Sequence, residues 1–172
     1  ANLISERVFN GHQLVVRDLH DITIIGGYNA HLVVDPAYAY VLKFESCSNI
    51  TIYNLTMGHT VEGFCTGGVI GLEGCEDVIV ENCDLYGCGA YGLVATDCSS
   101  VEMRRSIIRD CSYGILQLSN VRGAVFTGCD FFRNREYTMV EIDSRSSDIR
   151  FVDSRFAQNK GILFEIGSRA RM

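Results

Sequence analysis

The sequence predicts an all-β solenoid, one chain wound into stacked coils. Three observations carry that reading. An apolar-x-apolar doublet recurs six times, at Ile22/Ile24, Ile50/Ile52, Val78/Val80, Val101/Met103, Ala124/Phe126 and Ile149/Phe151, with spacings of 28, 28, 23, 23 and 25 residues. A turn-type or polar residue follows each doublet closely. The chain also holds 17 glycines but a single proline, Pro36, as expected where central strands need every N–H for pairing. A repeat this long, patterned with period 2 inside, cannot bury its apolar face alone and must stack on its neighbours.

Each unit reads as three short strands. The first carries the doublet and ends at a sharp bend, at Asn54, Asn82, Gly128 or Asp153, residue types that tolerate positive φ. Arg105 departs from that pattern. The second strand sends Met57, Leu85, Ile108, Phe131 and Phe156 inward. The third sends Leu42/Phe44, Ile70/Leu72, Val94/Thr96, Leu116/Leu118, Val140/Ile142 and Phe164/Ile166 inward. Residues 13–17 fit the same slot, with Leu14 and Val16 inside. Parallel crossovers are right-handed, so the prediction is a right-handed, single-stranded parallel β-helix of about six to seven coils, as counted from this register.

The ends and insertions can be placed in the same frame. In residues 1–12, Ile4 and Val8 stand four apart and Gly11 can act as a stop, so a short helix is expected to cap residues 13–172. Nothing similar comes after Ile166. The start at Ala1 and the uncapped end suggest a piece of a longer chain, with fraying or end-to-end or face-to-face self-association at the open coil. The two 28-residue units are longer because of loops around 28–39 and 59–67. Protruding loops on a rigid scaffold are where binding usually resides.

These recurring columns, over about residues 13–168, resemble the right-handed parallel β-helix family, the pectate-lyase-like superfamily with its short parallel β-helix repeats. That superfamily includes lyases, hydrolases, epimerases and non-catalytic proteins, so the resemblance implies a fold and not one activity. It implies a bacterial-type protein that is secreted or on the cell surface. No lyase, hydrolase or epimerase motif matches residue by residue.

Eight cysteines raise the question of disulfides or a metal. Cys47, Cys75 and Cys98 share one column. Cys83 and Cys129 align with Ser106 and Ser154, and Cys88 and Cys111 with Asn134 and Asn159. Rungs about 4.8 Å apart with parallel side-chain vectors make the disulfide torsion awkward. No Cys-x-x-Cys pair occurs and no histidine joins a cysteine column, so a reduced structural ladder without a metal is expected. Such a ladder needs no oxidising compartment. Cys65 lies outside the columns, in the 59–67 loop.

Several outward columns could carry chemistry. Lys43, Gly71, Ala95, Gln117, Glu141 and Glu165 alternate with the inward residues, followed by Arg17, Glu45, Glu73, Asp97, Ser119 and Asp143. Stacked carboxylates repel unless something offsets them; a calcium site, a paired-carboxylate glycosidic site or a solvated edge would each answer the pattern. Tyr91, Tyr113 and Tyr137 line up at the entrance to the third strand, as a platform for sugar rings or a structural stack. His59, Asp110 and Arg133 share a turn position beside Arg109 and Arg135, an arrangement suited to charge stabilisation or to plain surface ion pairing. Val41, Val69, Leu93, Ile115, Met139 and Leu163 form either an exposed apolar stripe or a covered corner. His12, His20 and His31 stand apart and are expected to be solvated or locally bonded.

A net charge of −6 without any Lys/Arg run argues against nucleic acid. No apolar stretch approaches a membrane span. Two function classes survive. One is a non-catalytic module that binds carbohydrate or a protein partner along the third-strand face, through Tyr91, Tyr113, Tyr137, Glu73, Asp97, Asp110, Arg133 and His59. The other is a carbohydrate-active enzyme with its site across the 59–67 loop and adjoining coils.

Overall fold

The computed structural model describes residues 2–60, 66–87 and 89–171, and within them the chain is a right-handed parallel β-solenoid of about six turns, without helices. Three sheets run its length. Sheet A holds Leu3–Val8, Gly11–Arg17, Leu42–Glu45, Ile70–Glu73, Tyr91–Thr96, Gly114–Ser119, Arg135–Ile142 and Lys160–Ile166. Sheet B holds the six doublet strands, from His20–Ile25 to Ser147–Val152, and sheet C the six short strands from His31–Val34 to Arg155–Ala157. Every pairing is parallel except that of the first two strands. No described helix is long and apolar enough to cross a membrane.

The predicted capping helix is a strand. Leu3–Val8 pairs antiparallel with Gly11–Arg17, Val8 opposite Gly11. A spacing of four satisfies period 2 as well as 3.6, and the pairs that alternation offers won. The two-residue turn between them is Phe9-Asn10. Gln13 ties this hairpin to the first coil: its amide donates to Glu6 at 2.5 Å, and its carbonyl oxygen accepts from Tyr40 N at 2.9 Å.

Inside, the predicted columns stack in register. Ile50, Val78, Val101, Ala124 and Ile149 are fully buried, as are Met57, Leu85, Ile108 and Phe131. Phe126, Phe131, Phe151, Phe156 and Phe164 form a ring cluster in the last two coils, with centroids 4.8 to 6.3 Å apart. Both ends thin out. Val16 is buried but Leu14 is 44% exposed, and in the last strand Ile162, Leu163 and Ile166 are 63%, 41% and 43% exposed. Beyond it, Ile142 O accepts from Gly167 N at 2.7 Å and Ser146 O from Arg171 N at 3.3 Å.

The corners obey one local rule. A residue with positive φ is followed by a small or amide side chain that folds inward. Ser46, Gly74 and Asp97 precede Cys47, Cys75 and Cys98; Asn82, Arg105, Gly128 and Asp153 precede Cys83, Ser106, Cys129 and Ser154; Asp110, Arg133 and Gln158 precede Cys111, Asn134 and Asn159. Arg105 thus adopts the corner conformation (φ 45°) despite its side chain. An inward thiol or hydroxyl donates to the carbonyl two residues back, Cys83 to Glu81 at 3.3 Å and Ser106 to Arg104 at 2.8 Å, whereas the amides of Asn134 and Asn159 donate to Ile108 O and Phe131 O on the preceding coil. The six described cysteines are free and buried; Cys65, Cys88 and most of the 59–67 loop lie outside the described residues.

Candidate functional site

Sheet A gives the molecule its widest outward face, and one coil on it sits a residue away from the predicted register. Leu93 pairs with Ile70 and Leu116, and Ala95 with Leu72 and Leu118. Leu93 and Ala95 are therefore the buried pair, and Val94 and Thr96 point outward. Tyr91 pairs with Gly114 and not with Tyr113, and a one-residue slip exchanges the two faces of a strand. Asp97 consequently leaves the acidic column, where Thr96 stands beside Glu73 and Ser119. Asp97 is instead a corner residue whose Oδ1 accepts from Asn120 Nδ2 at 2.7 Å.

The tyrosine column divides for the same reason. Tyr113 and Tyr137 pack with their rings tilted at 32° and centroids 5.0 Å apart, and Tyr137 is 57% exposed. Tyr91 is instead the rung neighbour of Gly114, and a Cβ there would come within 2.7 Å of the Tyr91 ring. Lying across that glycine, Tyr91 reaches two coils on and donates to Glu141 Oε1 at 2.5 Å. Gln117 Nε2 donates to the other Glu141 oxygen at 2.9 Å, and Thr138 Oγ1 to Glu165 at 3.1 Å. Burial first, then Glu141, push the Tyr91 phenol well above its usual value, so it serves as a donor and not as a base near neutrality. Glu141 and Glu165 are register partners one coil apart. Their column was legible in the sequence; the tyrosine that fixes Glu141 was not, because the contact spans 50 residues.

The remaining carboxylates of the face are offset. Glu45 is held by Arg17 and Lys43, which lower its pKa, and Lys43 also reaches Glu73 at 3.4 Å. Asp143 accepts from Asn120 N, Ser146 and Arg145. Among the described residues no three His, Cys, Asp or Glu side chains converge as a metal would require.

The turn column joins His59, Asp110 and Arg133 in register but not in role. Arg133 grips Asp110 with two bonds of 2.9 Å, Arg109 adds one of 3.0 Å, and together they hold the carboxyl below its ordinary range. His59 is buried, with Nε2 2.9 Å from Ala39 O. Burial lowers its pKa, and it offers no surface contact. His31 bonds Tyr86 and His20 bonds Ser48, each at 2.6 Å. The apolar column resolves as a corner: Val69, Ile115 and Met139 are fully buried and only Leu163, on the last coil, is exposed.

Comparison with known proteins agrees with the architecture. The family described as right handed beta helix region matches residues 40–172. No curated protein matches the sequence significantly. Among solved structures, the crystal structure of a candidate glycosyl hydrolase from Parabacteroides merdae superposes with a TM-score of 0.62 at 18% identity, covering 87% of this chain and 79% of that one. Likeness at that identity is a likeness of fold.

Proposed function

The chain belongs to the right-handed β-helix family, and from that premise we propose that it is a non-catalytic module that binds carbohydrate along the outer face of sheet A. The observation that carries the proposal is the tilted Tyr113/Tyr137 pair at the rim of a face whose polar side chains are already positioned by their neighbours. The exposed Tyr137 ring beside the half-buried Tyr113 offers stacking area to a sugar ring, and fixed hydrogen-bonding groups at one-coil intervals meet a polymer with little ordering cost. The test is binding to a glycan array by the protein and by Tyr137→Ala. We expect the variant to lose about 1 kcal/mol or more of affinity with its fold intact. Unchanged binding by Tyr113→Ala and Tyr137→Ala would remove the face from consideration.

One observation favours catalysis instead. Glu141 and Glu165 stand on neighbouring rungs, and retaining glycosidases use carboxyl groups about 5 Å apart. The superposition on a candidate glycosyl hydrolase supports that second reading at the level of fold. New reducing ends released by the protein, and abolished in Glu141→Gln, would decide for it; glycan binding with no product, reducing or unsaturated, would decide against it.

A further inference from the structure

Where sheet C turns into sheet A, a cleft is lined by Asp110, Arg133, Asn134, Arg135, Gln158 and Lys160. Arg135 and Lys160 are register partners on adjacent coils, and both are exposed. Among the described residues neither has a carboxylate partner, whereas Arg109, Arg133 and Arg155 each do. The one acid in the cleft, Asp110, is already engaged by Arg109 and Arg133. Three cations thus face one neutralised carboxylate, in a chain whose net charge is −6. A second groove with unpaired arginines, around Arg122 and Arg150 on sheet B, sets Glu76 and Asp148 beside them, Glu102 being held by Arg104. Like charges on neighbouring strands repel, so the excess of positive charge in the first cleft suits an anion.

The cleft is also built firmly. Asn134 forms its floor, fully buried, donating to Ile108 O and to Asn159 Oδ1 at 3.1 Å each and accepting from Cys111 N at 3.0 Å. Just beyond Arg135 the strand bulges, and Glu136 is held at φ 121°, where the next rung has Gly161 at φ 140°. A non-glycine residue in that region is strained, and such strain gathers where side chains must be aimed. Here the bulge separates Arg135 from Tyr137 and leaves both exposed.

We propose that this cleft binds the anionic substituent of a sugar polymer, a sulfate ester or a carboxylate, held by Arg135 and Lys160 while the Tyr113/Tyr137 pair takes the adjoining ring. The ring contact rests on the carbohydrate-binding reading above; the anion contact stands on the cleft itself. A planar guanidinium beside an ammonium suits an oxyanion that can accept several bonds at once.

Titration calorimetry with dextran sulfate, polygalacturonate and neutral dextran, at low and at physiological salt, tests the proposal. At least one polyanion should bind tenfold or more tightly than dextran and weaken as salt rises. Arg135→Gln with Lys160→Gln should lower that affinity at least tenfold without shifting thermal unfolding. Arg122→Gln with Arg150→Gln removes the same charge from sheet B and should change it less than twofold. Preference for dextran sulfate assigns a sulfate ester, and preference for polygalacturonate a carboxylate. Equal losses in the two double variants, or no preference for polyanions over dextran, overturn the proposal. Glycan binding that depends on Tyr137 but shows no polyanion preference would overturn the cleft and leave the face standing. The reverse result would keep the cleft and remove the tyrosine platform.

Discussion

At the scale of the residue, the fold rests on the side chain placed just after each corner. A positive-φ residue turns the chain, and a cysteine, serine or asparagine then fills the space inside; the thiol or hydroxyl bonds the backbone it has just left, and the amide bonds a carbonyl of the preceding coil. A thiol suits a narrow apolar corner because it is small and its weak donor still finds a carbonyl. That choice has a consequence for pH. Burial pushes the Cys111, Cys83 and Cys129 thiols above their ordinary value. Because the folded pKa is the higher one, their contribution to stability is fully present below the unfolded value, near 8.5, and falls as pH rises from there toward the folded value. We expect the urea midpoint to be flat from pH 7 to 8 and to drop between pH 8.5 and 10. The drop should be shallower in Cys111→Ser, by up to about 1.4 kcal/mol per pH unit for that one thiol. A wild-type midpoint unchanged to pH 10 would contradict the buried, reduced ladder.

At the scale of the element, register decides which residues meet a ligand. The 91–96 strand shows how: tyrosines at 91, 113 and 137 look like one column, yet Tyr113 N bonds Ala90 O, and Tyr91 stacks beside a glycine. The inward columns of the other coils were legible because apolar residues alternate there without competition. This strand reads Tyr-Gly-Leu-Val-Ala-Thr, and its Leu/Ala and Val/Thr pairs offer alternation in either phase. The 135–142 strand carries a different irregularity, the bulge at Glu136. Glu136→Gly should stabilise the protein by about 1 kcal/mol, because the strain removed exceeds the entropy glycine adds to the unfolded chain. Denaturant unfolding checks this; destabilisation by the substitution would show that Glu136 is relaxed and that the bulge is no device for aiming Arg135.

At the scale of the whole molecule, the two ends are treated differently. The N-terminal coil carries a hairpin strand across sheet A, joined to it by six register pairs. The C-terminal coil is the last in all three sheets and leaves Ile162, Leu163 and Ile166 partly exposed. The tail bonds Ile142 and Ser146 but supplies no further described strand. Stability in a solenoid is a sum over neighbouring coils, and the outermost coil has one neighbour instead of two. Amide exchange at residues 161–166 should therefore be faster than at 91–96. Equal protection in a sample that sedimentation shows to be monomeric would contradict the open end; equal protection in a dimer would show a second copy covering it.

Composition and periodicity alone determined the solenoid, its coil count, the identity of most inward residues and the cysteine columns. These are consequences of local rules, alternation within a strand and small or positive-φ residues at corners, repeated until chance is excluded. The tertiary structure alone decided the hairpin in place of a helix, the outward placement of Val94 and Thr96, the burial of His59 and the bond from Tyr91 to Glu141. The hairpin pairs residues 3 to 13 positions apart; the others depend on which rung lies beside which. A stacked chain settles that through backbone pairing between residues 23 to 28 positions apart, and the separate strands do not record it.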